Sequence, residues 1–264
     1  MKKKYSSAAR IIIIGLLLVL FGQNIRAQSF NYNSKFYRNS QYWADIDTTQ
    51  FQTGDVVACI TPNKDFKGLL TKIGTASRFT HVAMIWRNPA DNSLWLMHST
   101  PNDKHLIAYG EQTPRSGIIL TPMREVIASG HYKMVIVYPL QQVARQLINA
   151  QLLDIYNQYK HIPFESHVMQ FILAGVDVEI FGHDMLQNKT DKSELFCSEY
   201  LAYALQLLGL IELENQKMAA EYSPKEIVQL SLFDEKRIVK IRYSKLPIAP
   251  PIDENNDNSV VQRY

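Results

Sequence analysis

FCSEYLAYALQLLG, residues 196–209, places a cysteine where an apolar helix begins. From Cys197, positions 200, 201, 204, 205 and 208 are Tyr, Leu, Ala, Leu and Leu, one helical stripe that includes the cysteine itself. The thiol is thus expected to face the rest of the protein. At a helix N-terminus the unpaired N–H groups and the macrodipole favour an anion, which favours a thiolate and could also hold an oxyanion. Glu199, rotated about 200° from Cys197, reads as supporting the first turn from outside. A small buried filler fits the same stripe, so this segment alone leaves nucleophile and structural cysteine both open. The predicted helix spans KSELFCSEYLAYALQLLGL, 192–210, with Gly209 near its end.

The 264 residues can bury a sizeable core, and 46% hydrophobic with 20% charged residues is ordinary globular composition, not that of a disordered or many-spanning membrane chain. The N-terminus differs. MKKKYSSAAR is basic, IIIIGLLLVLF (11–21) is apolar, and QNIRA ends at Ala27, the layout of a secretory signal peptide over 1–27. The apolar run is about half the roughly 20 residues of a spanning helix, so cleavage would leave no stable transmembrane segment, an uncleaved anchor being the other reading. Residues 1–27 hold five of the 28 basic residues and none of the 25 acidic ones, so the chain from Gln28 on has 23 bases against 25 acids, a net charge of −2. That balance offers no general attraction for nucleic acid. The expected location is exported, periplasmic or secreted. An exported chain with two cysteines, Cys59 and Cys197, also admits a disulfide.

The expected organisation is a polar, aromatic lead-in at 28–50, a catalytic domain at 51–243 and a disordered tail at 244–264. Predicted strands are GDVVACI (54–60), THVAMIW (80–86), SLWLMHS (93–99), SGIILTPM (116–123), HYKMVIVYPL (131–140) and KRIVKIRY (236–243). RNPADN joins the second and third as a hairpin. Predicted helices are DFKGLLTKIGTAS (65–77), 141–160, 192–210 and SPKEIVQLSLF (223–233), the last with Ser223 as N-cap and Pro224 at N1. The segment 168–181 is apolar without a clear period. The fold class is α+β, an antiparallel sheet first and helices mostly later.

A thiolate needs a base. If Trp86 pairs near Ser93 or Leu94, His81 stands opposite residue 98 or 99, and His81 and His98 become neighbouring imidazoles, a base with its orienting group. A pair of strand-end surface histidines is the other reading. His105, His131, His161, His167 and His183 have no such argument and read as surface or local residues. Cys197, His81 and His98 could also bind Zn²⁺ with an open position, without any HxH, HxxxH or CxxC spacing to support it.

In order, GDVV, a short helix, FTHVAMI, a strand ending in His98, FCSEYLAYAL and YSPKEI resemble the permuted papain-like cysteine hydrolases of the NlpC/P60 superfamily, in particular the YiiX/YebB-like group. The resemblance covers roughly 50–235, with His before Cys as in the permuted branch. It implies a circularly permuted papain-like fold with Cys197 as nucleophile, His81 as general base and His98 in the orienting place, where that group often shows Glu. KHIPFES (160–166) stands where relatives tend to show a Gly and a Tyr-Asp pair, and FCSEY lacks the NCEHF-like segment of the lecithin:retinol acyltransferase branch. The expectation is an exported hydrolase that cleaves an amide bond in a small peptide-like or cell-wall-derived substrate, with no cofactor. The alternatives are ester or lipid-amide chemistry on the same residues, with 168–181 lining the groove, and a non-catalytic envelope binding module.

Overall fold

The computed structural model describes residues 40–62, 72, 77–101, 107–146, 148, 151–164, 179–180, 183–184, 195–211, 219 and 222–242. The signal-like segment, most of the 65–77 helix and the 168–181 segment, and the tail from 244 lie outside the described residues.

Nine strands are described: β1 (Gln41–Tyr42), β2 (Val56–Ile60), β3 (His81–Arg87), β4 (Leu94–Thr100), β5 (Gly117–Pro122), β6 (Met134–Tyr138), β7 (Glu179–Ile180), β8 (His183–Asp184) and β9 (Val239–Arg242). Seven form one sheet in the order β1-β9-β6-β2-β3-β4-β5, and β7 with β8 forms a separate two-stranded ribbon. Within the large sheet every pairing is antiparallel except β1 with β9. The helices are α1 (Met123–Ala128), α2 (Gln142–Arg145), α3 (Gln151–Tyr159), α4 (Cys197–Leu207) and α5 (Pro224–Val228).

The central strands read as continuous apolar runs because both faces of the sheet are covered. Val82, Met84 and Trp86 point to one core, shared with Leu152, Ile155, Tyr200, Leu201 and Ile227 of α3, α4 and α5. Ala83, Ile85, Val57 and Cys59 point to the other, under Met123, Val126 and Ile127 of α1 and beside Phe51. The fold is therefore mixed α+β, as expected.

Some boundaries differ from expectation. The described part of 141–160 holds two helices, Gln142–Arg145 and Gln151–Tyr159, and Arg145 Nη2 donates to the buried Asp55 carboxylate at 2.6 Å. The 192–210 helix starts only at Cys197, because Leu195 is held extended by a bridge to Phe164. It ends as expected, with Gly209 at φ 68° and Leu210 N–H donating to Leu205 O at 2.9 Å. Ser223 caps α5, and Glu226 completes a capping box. α1 was not anticipated.

Candidate active site

Cys197 is the first residue of α4, and its N-cap is Phe196, which has no side chain able to cap. The first-turn N–H groups are thus left for another acceptor. The backbone N–H groups of Val82 in β3 and of Ser198 and Cys197 at the start of α4 favour the Cys197 thiolate.

The Val82 donor is available because of how the sheet opens. The β3–β4 ladder runs from Arg87–Leu94 to Met84–Met97 and goes no further. Odd-numbered β3 residues turn their N–H toward β2, as Ile85 does to Asp55 O at 2.8 Å. Val82 therefore turns toward the side β4 has left, where α4 begins. Ser99 of β4 secures the entry to α4, its hydroxyl donating to Leu195 O at 2.5 Å, while Leu195 N–H donates to Pro163 O at 3.1 Å. Pro163 and Phe164 thus hold the chain two residues before the cysteine.

His81 and His98 do meet, with His81 Nε2 and His98 Nδ1 2.7 Å apart and rings near perpendicular at 74°. The register differs from both expected ones, by one step from Trp86–Leu94 and by two from Trp86–Ser93: Trp86 pairs with Trp95. The turn is 88–93, as many residues as RNPADN but one position later, with Asn92 at φ 60°. Continued, this register sets His98 opposite Ala83, so the imidazoles are diagonal neighbours on one face, within reach of side chains this long. His98 Nε2 lies 2.9 Å from Thr121 Oγ1 of β5, and Tyr132 stacks on His81 at 5.9 Å and 14°. His131, exposed, meets Tyr132 edge-on at 4.8 Å. Thr121, Tyr132 and His131 had not been singled out. Their signal was the alternation of β5 and of the run into β6, which needs the register to become useful.

Strand alternation sets His81 and His98 on the α1 face, whereas the body of Cys197 belongs to the α4 face. The N–H of Val82, one residue along β3 from His81, favours the Cys197 thiolate. Among the described residues no hydrogen bond joins Cys197 to either histidine. All three are buried, Cys197 at 3%, His81 at 7% and His98 at 2% exposure. Burial pushes the thiol up to about 11, against the three N–H groups that favour its anion. Burial first, then the neighbouring His98 and His131, hold His81 well below the usual imidazole range. Both shifts favour the neutral thiol and the neutral imidazole over a preformed ion pair. Glu199, expected outside, is buried at 4% exposure.

Cys59 and Cys197 are free thiols, both buried. Cys59 faces His81 across the β2–β3 ladder, and burial, with Cys197 nearby, raises its thiol far above the ordinary range. Among the described residues no group of three or more His, Cys, Asp or Glu side chains is placed to hold a metal ion. Among them, too, no helix is long and apolar enough to cross a membrane.

No family model matches the chain, and no curated protein matches it. Among solved structures it is similar to the metalloprotein yiiX of Escherichia coli O157:H7, DUF1105, at 15% identity over 64% of this chain and 72% of that one, with a TM-score of 0.40. That likeness is too loose to carry an argument about chemistry, which rests on the residues above.

Proposed function

We propose that this protein is an exported cysteine hydrolase of permuted papain-like fold that cleaves an amide bond in a peptide-like substrate. What supports the reading is the hydrogen-bonded histidine pair His81–His98 in β3 and β4 together with Cys197 at the start of α4, its anion favoured by the N–H groups of Ser198, Cys197 and Val82, the neighbour of His81. Cys197 Sγ attacks the carbonyl carbon as its proton passes to His81. The S–C bond forms, and first-turn N–H groups hold the oxyanion. As the C–N bond breaks, His81 returns the proton to the leaving amine. Water then attacks the acyl-enzyme and frees the carboxylic acid and the thiol. Export supports a cell-wall peptide as substrate.

A second reading, a non-catalytic envelope binding module, is favoured by one observation: the thiol and both imidazoles are almost wholly buried. The two readings separate in the rate of Cys197 alkylation by iodoacetamide across pH 5–10, in the protein and in His81→Ala. A Cys59→Ala background confines labelling to Cys197. On the catalytic reading labelling at pH 7 falls by about a hundredfold or more in His81→Ala, the lower end of the range for a lost general base. Labelling that ignores His81 and follows a plain thiol curve leaves the binding module in place.

A further inference from the structure

The end of β3 away from His81 opens on a cavity of about 900 Å³, a size usual for ligand pockets, that the proposed chemistry does not use. Its walls are the 49–53 segment, the end of β3, the 88–93 turn and the stretch from α2 into α3. We propose that this cavity binds a small organic carboxylate with an apolar body, the charge held by Arg87 and the body by Ile148, Leu152 and Leu153. His81 and Arg87 are the first and last residues of β3, roughly 20 Å apart along the strand. The site is therefore separate from the one at Cys197, and it stands whether or not Cys197 is a nucleophile.

Arg87 supplies the charge. Its Nε and Nη2 both donate to Phe51 O, Nη2 also to Thr48 O, and Nη1 to Asn92 O. These bonds to carbonyls fix the planar group without neutralising it, and they leave one Nη1–H uncommitted. Among the described residues Arg87 has no carboxylate partner. The nearby Asp47 gives its Oδ1 to the Thr49 hydroxyl and N–H, which lower its pKa more than Arg87 does. Arg145, the other guanidinium in the wall, is matched by Asp55 at 2.6 Å. Of the two cations lining the cavity, one is thus left for an anion from outside.

Apolar side chains supply the other half of the lining. Ile148 and Leu152 belong to the core under α3 and α4, and Leu153 packs against it half-buried. Trp86, its ring met edge-on by Tyr109 at 5.6 Å, adds a rigid aromatic surface next to Arg87. An inorganic anion would leave these side chains wet, and a neutral hydrocarbon would take nothing from the guanidinium. A carboxylate on an apolar body meets both, since charge-assisted bonds to a guanidinium are strong and the body covers apolar surface. The carbonyls of Thr48, Phe51 and Asn92 already hold Arg87, so little ordering opposes binding.

The test titrates octanoate, octylammonium and acetate into the protein by calorimetry at pH 7.5 and about 0.1 M salt, where charges within one cavity still act on each other. Octanoate is expected to bind at one site with a Kd of about 1 mM or tighter. Octylammonium has the body with the opposite charge and acetate has the charge without the body, and each is expected to bind at least about tenfold more weakly. Gln52 lines the cavity from an exposed position, so a charge can be added there with little effect on the fold. Gln52→Glu is expected to weaken octanoate about threefold and Gln52→Lys to tighten it by a similar factor. Arg87→Met, checked by thermal unfolding, is expected to weaken it by about tenfold or more. A Kd for octanoate weaker than about 1 mM overturns the proposal, as does octylammonium or acetate binding as tightly as octanoate. So does an octanoate affinity indifferent to the Gln52 substitutions, whether or not Arg87→Met folds, or one unchanged in a folded Arg87→Met.

Discussion

Arg145→Met tests how the end of the sheet away from the cysteine is held. Asp55 follows Gly54 at the entry to β2, and its carboxylate is fully buried. Oδ2 accepts from Gln52 N–H at 2.8 Å, and Oδ1 accepts from Leu140 N–H at 3.0 Å and Arg145 Nη2 at 2.6 Å. The same guanidinium donates to Thr53 O at 3.2 Å and Leu140 O at 3.1 Å. Methionine keeps the stem and removes the charge, leaving an uncompensated buried carboxylate. That costs about 3–5 kcal/mol. At about 2–4 °C per kcal/mol for a chain of this size, Tm falls by roughly 6–20 °C. The pH dependence follows from the direction of the Asp55 shift. Burial raises its pKa, and Arg145 with the two N–H groups opposes that rise. The native state therefore binds more protons than the unfolded chain between the unfolded value of about 3.9 and the raised native one, and stability falls as pH rises through that window. Without Arg145 the native pKa climbs further and the window widens. The deficit of Arg145→Met is thus greatest near neutrality and shrinks as the pH approaches about 4. Urea and thermal unfolding at pH 7.5 and 4.5 measure both features, and Asp55→Asn in the same background should recover part of the loss. A deficit under about 1 kcal/mol, or one equal at the two pH values, refutes the reasoning.

Two further substitutions probe the support of Cys197. Ser99→Ala removes the hydroxyl that holds Leu195 O at 2.5 Å and leaves that carbonyl one donor short, a loss of about 1–3 kcal/mol. Cys197 alkylation should slow with it, and unchanged labelling in a destabilised variant would show that Leu195 does not set the thiol's position. Gly117→Ala puts a side chain on a residue at φ 106° whose Cβ would run into the Ile162 carbonyl oxygen. A loss of about 2 kcal/mol or more is expected in urea unfolding, and an unchanged midpoint would mean that the 162–164 segment yields freely.

The strands were legible because their apolar runs are bounded by turn residues, and because GDVVACI and FTHVAMIW are rich in β-branched and aromatic side chains. The amphipathic stripe of α4 was legible for the matching reason, and its true start was not. Nothing in KSELF breaks a helical pattern, and Leu195 is extended only because Phe164, 31 positions earlier, pairs with it. The neighbouring imidazoles could be foreseen from the hairpin, although the register that sets His81 opposite His98 was off by two. The error left the pair intact because diagonal neighbours on one face lie within reach of each other. The same uncertainty of register hid Thr121: choosing it over Ile119 or Ile118 requires the β4–β5 register, His98 with Ile119, which no local pattern encodes. Glu199 was misjudged for a related reason. Helical rotation set it away from Cys197, but α4 is covered on more than one side.

Burial acts on both members of the proposed site in ways that partly offset each other. It raises the Cys197 thiol to about 11, which depletes thiolate near neutral pH. It also keeps His81 deprotonated, which preserves an unprotonated base beside β3. A preformed thiolate–imidazolium pair would need both shifts reversed. A neutral pair needs neither, provided that the proton moves only when the thiol meets an electrophile. On that account the N–H groups of Val82, Ser198 and Cys197 matter most during attack, when negative charge passes from sulfur to the substrate oxygen. The relay through His98 then matters for holding the imidazolium that forms. A buried neutral pair is thus compatible with chemistry at the thiol, and it makes dependence on His81, more than early ionisation of Cys197, the property that distinguishes a nucleophile from a core cysteine.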